Sequence, residues 1–110
     1  GSNGKIIGEN YYENKKKIPR VFGNFKTPEL LRVFLLLENN NFILNEITDL
    51  YYYNSGRWDV KFKNNLLIKL PIKKLNNSIN IAKKFIEKEK ITGNIIIDLR
   101  VANQVIIRNE

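Results

Sequence analysis

The sequence predicts an α+β fold, with helices packed on a mixed, largely antiparallel sheet. Three observations lead there. Two segments space their apolar residues as helices do, two others alternate strictly and fold back as hairpins, and the order is strand, helix, hairpin, helix, hairpin. At 110 residues, 43% hydrophobic and 27% charged, the chain suits one domain with one core.

Gly1-Ser2 reads as a protease-cleavage scar, which leaves residues 3–110 as the domain. A short strand is expected at Lys5 to Ile7, then a solvated loop carrying Lys15 to Lys17 and leading to Pro19. Thr27-Pro28-Glu29 marks a helix start: a threonine oxygen to cap free amides, a proline with φ already set, and a carboxylate near the positive end of the dipole. Leu30, Val33, Phe34 and Leu37 then recur at helical spacing, and Asn39 to Asn41 ends the helix.

Next, Trp58, Val60 and Phe62 share one face of a strand, and Arg57, Asp59, Lys61 and Lys63 the other. Leu66, Ile68 and Leu70 repeat the alternation. A two-residue turn would set Val60 against Lys69. A three-residue loop, Lys63 to Asn65, aligns Phe62 with Leu66, Val60 with Ile68 and Trp58 with Leu70, which keeps one face apolar. That register requires a left-handed residue at Asn65, a conformation asparagine tolerates. After Pro71, the stripe Leu75, Ile79, Ala82, Ile86 predicts a second helix with Lys83, Lys84, Lys88 and Lys90 mostly off it and Gly93 as its stop. By the same reasoning a three-residue loop, Ala102 to Gln104, would set Val101 against Val105 and Leu99 against Ile107. Asp98, Arg100, Ile106 and Arg108 would then share the opposite face.

Neither cysteine nor histidine occurs. Thiolate chemistry, the usual zinc ligands and the usual general base near neutral pH are therefore missing, and no metal or cofactor is expected. The remaining candidates for catalysis are Asp59, Asp98, Glu87, Glu89, Ser2, Ser55 and Ser78. Their spacing matches no acid/base or metal arrangement, so the chain reads as a non-enzyme. No apolar run approaches the roughly 20 residues of a membrane span, and with the Gly1-Ser2 scar the chain reads as a soluble fragment of a longer protein, in which any anchor would lie outside these residues.

The net charge of +8 favours an anionic partner, be it nucleic acid, lipid headgroups or an acidic protein. Charge does not choose among them, and lysine accompanied by abundant Asn and Ile is also what an AT-rich genome produces. Tyr11, Tyr12, Tyr51, Tyr52 and Tyr53 could stack bases, which keeps a nucleic-acid-binding module as an alternative. Yet the tyrosines of a strand alternate faces, so Tyr52 is expected to be structural, and no nucleic-acid signature accompanies them. The stronger signal is the last strand. A strand following a terminal hairpin sits naturally at a sheet edge, and its "VIIR" has one charge and no proline to block pairing.

"RWDVKFKNNLLIKLP", followed later by "IDLRVANQVIIR", resembles the FtsQ (DivIB) family of cell-division proteins, particularly its alphaproteobacterial members. "NGKII" and "IPRVFGNF" resemble the opening of that family's β domain. The resemblance implies a bitopic inner-membrane protein with a POTRA domain and this β domain in the periplasm at the division septum. It implies a scaffold that joins FtsB and FtsL and helps regulate septal peptidoglycan synthesis, without enzymatic activity. By resemblance the last strands accept a strand of FtsB, and Arg100, with Arg57 beside the tryptophan, meets acidic side chains. The implied partner-binding set is Arg57, Arg100, Val101, Asn103, Gln104, Val105, Ile106, Ile107 and Arg108. Two features depart from the family pattern. Val101 stands where an aromatic is frequent, and Val105, Ile106 and Arg108 stand where small residues are common. A periplasmic assembly domain of another system is a second alternative.

Overall fold

In the computed structural model, residues 19–109 are described. They form β1 (Arg20–Phe22), α1 (Thr27–Asn39), a short 3-10 turn (Leu44–Glu46), β2 (Ile47–Tyr52), β3 (Trp58–Phe62), β4 (Leu67–Lys69), α2 (Leu75–Lys88), β5 (Ile95–Asp98) and β6 (Ile106–Asn109). The expected strand at Lys5 to Ile7 and the loop at Lys15 to Lys17 lie outside the described residues. All six strands make one sheet whose spatial order repeats the chain order, β1 to β6. β1 with β2 and β4 with β5 are parallel, and the other three pairs are antiparallel. The architecture is the α+β fold that the sequence predicts.

A helix spans each parallel pair, as a parallel connection requires. Both crossovers step across the sheet in the same direction, so the right-handed rule brings both helices to one face. Asn40 joins them: its Nδ2 donates to Asn76 Oδ1 at 2.9 Å, and Asn80 Nδ2 donates to Asn40 Oδ1 at 3.1 Å. Beneath the helices, registered neighbours form a single aliphatic row, Val21, Leu50, Val60, Ile68, Ile97 and Ile107. Leu50, Val60, Ile68 and Ile97 are buried and pack with Leu30, Val33, Phe34 and Leu37 of α1 and Leu75, Ile79 and Ala82 of α2. Ile107, at the end of the row, is 39% exposed, because neither α1 nor α2 covers it.

The β3–β4 register is the one that keeps a face apolar. Val60 pairs with Ile68, and the Phe62 amide donates to the Leu66 carbonyl. Asn65 is left-handed at φ 64°. Tyr52 is structural, its ring 4.9 Å from that of Trp58 and its hydroxyl bonded to Glu29 of α1. The Glu29 carboxylate is held below its ordinary pKa, first by that hydroxyl.

Three local expectations are corrected. Thr27 does not cap α1. The Ncap is Lys26, whose amide donates to Glu29 Oε1 at 3.0 Å, so the cap is a carboxylate reaching back. Gly93 does not stop α2 either. Lys90 takes the left-handed position at φ 52°, the Ile91 amide donates to the Ile86 carbonyl, and the Lys90 amide donates to that of Glu87. That is the Schellman ending, with lysine where glycine is usual. The terminal hairpin also differs: Ile97 opposes Ile107 and Asp98 opposes Ile106. The register is therefore two residues from the expected one, and the loop runs from Leu99 to Val105. Each side chain keeps its expected face, because a slip of two preserves parity.

Candidate functional site

The sequence singles out the last hairpin, and its geometry follows from one carboxylate. Asp98 Oδ1 accepts the Arg100 main-chain amide at 3.0 Å, a side-chain turn that draws the chain out of the ladder directly after β5. The Arg100 guanidinium closes over the same carboxylate as a fork, Nε to Oδ1 at 2.9 Å and Nη2 to Oδ2 at 2.7 Å. Arg108 of β6 adds a looser contact, Nη1 to Oδ2 at 3.6 Å. Asp98 is 1% exposed, yet these partners hold its pKa at about 2, below the ordinary 3.8, with the Arg100 hydrogen bond the largest cause.

Which main-chain groups of β6 face outward follows from alternation. The Leu99 amide donates to the Lys69 carbonyl at 2.9 Å. Odd-numbered residues of β5 therefore turn their amides and carbonyls toward β4, and even-numbered residues turn theirs toward β6. Ile96 with Arg108 and Asp98 with Ile106 are then the hydrogen-bonded pairs of the hairpin. Ile107 and Asn109 point their main chain away from the sheet. Among the described residues no strand pairs with that side.

On the helix-free face, three buried carboxylates each meet cations. Asp49 Oδ1 lies 2.8 Å from Arg20 Nε. Asp59 Oδ1 lies 2.5 Å from Arg57 Nη1, and its Oδ2 accepts the Tyr53 hydroxyl at 3.0 Å with Lys69 Nζ at 3.8 Å. Burial and the Asp59 bond raise the Tyr53 pKa. Register places Asp59, Lys69 and Asp98 side by side across β3, β4 and β5, so charge alternates along the row. Of the carboxylates named as catalytic candidates, Asp59 and Asp98 serve as these ion-pair anchors. Asp49, which sequence reasoning did not single out, is the third. Its signal is strand parity, visible only once β1 is known to pair with β2.

The predicted binding residues separate into two groups. Arg100, Val101, Asn103, Gln104, Val105, Ile106, Ile107 and Arg108 come together at one margin of the sheet. Val101, Val105 and Ile107 are 46%, 38% and 39% exposed there, an apolar fringe beside the strand edge that no described strand pairs with. Asn103 is left-handed at φ 63°, within the turn closed by the Gln104 amide on the Val101 carbonyl. Arg57 precedes β3, three strands from β6 by sheet order, although its partners Asp59 and Tyr53 act electrostatically on Arg100. The Arg57 side chain is 16% exposed, ion-paired with Asp59, and its guanidinium carbon sits 4.5 Å from the centre of the Tyr53 ring. The Arg100 side chain is 40% exposed and that of Arg108 is 52% exposed. In Arg100 the Nη1 group has no bond among the described residues.

A comparison with curated proteins finds no match. A family model, that of the cell division protein FtsQ/DivIB, C-terminal, matches residues 1–100. The match runs through every element from β1 to β5 and ends at Arg100, the residue that forks Asp98. The chain thus belongs to the FtsQ/DivIB family of cell-division proteins and carries its C-terminal region.

Proposed function

We propose that residues 3–110 act as a β domain of a periplasmic divisome scaffold, anchored in the inner membrane by chain outside this sequence. In this reading it receives a strand of FtsB, within the FtsB/FtsL complex, at the outer edge of β6 and so helps regulate septal peptidoglycan synthesis. The single observation behind this reading is the outward main chain of Ile107 and Asn109, which no strand of the described residues takes up. A partner strand would satisfy those groups by main-chain hydrogen bonds. The family match stops at Arg100, so strand addition at β6 rests on the geometry of that strand and on the family likeness of its sequence.

Within the proposal, Arg100 offers Nη1 and Arg108 its half-exposed guanidinium to acidic side chains, Val101, Val105 and Ile107 supply apolar contact, and Asn103 and Gln104 shape the rim. Arg57 takes a lesser part, holding Asp59 beneath the same face. Charges at such a rim mainly steer encounter, while main-chain pairing and apolar burial slow release.

Alternation sets the test. The Ile106 amide faces β5, so Ile106→Pro would break the hairpin itself. The Ile107 amide faces outward, where a proline is tolerated in the free domain but removes a donor from an added strand. Ile107→Pro should keep its thermal transition and lose about a hundredfold in affinity for a periplasmic FtsB fragment by titration calorimetry. Undiminished affinity in a folded Ile107→Pro variant would refute strand addition at β6.

A further inference from the structure

Positive charge is distributed unevenly between the two faces of the molecule. All five ion pairs found among the described residues lie on the helix-free face of the sheet, where Arg20, Arg57, Lys69, Arg100 and Arg108 meet Asp49, Asp59 and Asp98. The segment from Ile72 to Lys90 carries six lysines against two glutamates, half of the chain's net charge of +8. Among the described residues, Lys73, Lys74, Lys84, Lys88 and Lys90 have no carboxylate within ion-pair distance, and Lys83 lies 5.0 Å over the Phe42 ring. Lys61 and Lys63 of β3 and its turn are unpaired as well, but among the described residues most of the unneutralised charge belongs to the helix layer.

That layer also exposes large aliphatic side chains. Leu31 and Leu35, one turn apart on α1, are 40% and 58% exposed, while Ile72 and Ile81 are 52% and 38% exposed. Ile81, Lys84 and Lys88 follow one another at helical spacing on the side of α2 away from Leu75, Ile79 and Ala82. A soluble helix normally keeps that side polar. Aliphatic side chains interleaved with free lysines are the pattern of a surface that lies against lipid headgroups, with apolar groups entering shallowly and lysines reaching the phosphates.

We infer that the outward face of α1 and α2 docks on an anionic lipid surface, independently of the β6 edge. The lysines are strung along a helix about 21 Å long and do not converge, so they suit a plane of headgroups rather than one small anion. Among the described residues no helix is long and apolar enough to cross a membrane, so the contact is peripheral. The helix layer covers one face and β6 forms a margin of the sheet, which leaves the strand edge free while the lipid face is engaged.

The test is flotation of the chain with vesicles of phosphatidylglycerol and phosphatidylcholine in equal parts, and with phosphatidylcholine alone. Binding is expected to the first and not the second, and it should weaken as salt shortens the reach of the charges. Lys84→Gln with Lys88→Gln should weaken partitioning about thirtyfold. Lys61→Gln with Lys63→Gln, which removes the same charge from β3 and its turn, should change it by less than about threefold. Equal losses in the two double variants would reduce the effect to net charge and overturn the inference. Failure to float with anionic vesicles would overturn it too. If poly-glutamate bound instead, and bound less in the Lys84/Lys88 variant, the occupant would be an acidic protein surface rather than lipid.

Discussion

Asp98→Ala is expected to cost about 3 kcal/mol of folding stability, read as a lower urea midpoint with little change in slope. The carboxylate accepts from the Arg100 main chain and from two nitrogens of its guanidinium, and it steadies Arg108 as well. Removing it leaves two cations without their counter-ion and the turn after β5 without its closing bond. Both guanidiniums are partly exposed and can turn to water, which keeps the cost toward the lower end for a broken buried pair. Asp98→Asn separates shape from charge. Because the folded pKa is depressed from 3.8 to about 2, ionised Asp98 favours the fold at pH values above its ordinary range. That contribution, about 2 kcal/mol, is lost as pH falls from about 4 toward 2. The wild-type chain should therefore lose stability across that window and Asp98→Asn should lose less. Parallel acid limbs for the two proteins would mean that the fork carries no linkage.

Gly93→Ala should be about as damaging, for a different reason. Gly93 has φ 139°, and a Cβ placed there would lie 2.1 Å from the Asn64 carbonyl oxygen and 3.0 Å from its carbon. Backbone, rather than a flexible side-chain end, would have to yield. It is pinned on both sides, because the Asn94 amide donates to that same carbonyl at 3.0 Å and Asn64 Nδ2 donates to the Thr92 carbonyl at 2.8 Å. Strain plus overpacking should cost about 4 kcal/mol, a drop in melting temperature on the order of 15 °C. Gly56→Ala is the control. Its φ of 97° is also unfavourable, but a Cβ there would meet only the Tyr52 hydroxyl at 3.9 Å, so the loss should be about 1–2 kcal/mol. Equal melting temperatures for the two variants would show that the close approach to Asn64 is not what requires glycine.

Much of this fold is legible in the chain because parity is a strong constraint. Trp58, Val60 and Phe62 against Leu66, Ile68 and Leu70 admit one register that keeps the core on one side, and Asn65 supplies the turn. The terminal hairpin obeys parity too, but parity does not distinguish a three-residue loop from one two pairs longer. The Asp98–Arg100 fork decides between them by closing on the residue two positions ahead, and its strength depends on a burial that sequence does not display. Gly93 is similar. Its identity is plain, but its reason is a carbonyl nearly 30 residues earlier, brought close only when β4 and β5 pair. The gathering of residues 100–108 at one margin follows from chain order and is readable. The occupation of Arg57 by Asp59 and Tyr53 is not, since it depends on which face of the sheet the helices leave open.

The sheet's strand order also bears on how quickly the molecule forms. Antiparallel neighbours are separated by a short turn and parallel neighbours by one helix, so no pairing must wait for distant parts of the chain to meet. Loop-closure entropy stays small at every step, and the sheet can zip from one margin to the other. β6, with no residue in the buried core, can peel away and reclose while the other five strands persist. The margin proposed above to receive a partner is thus also held weakly, and its amides should exchange with solvent before those of the interior strands.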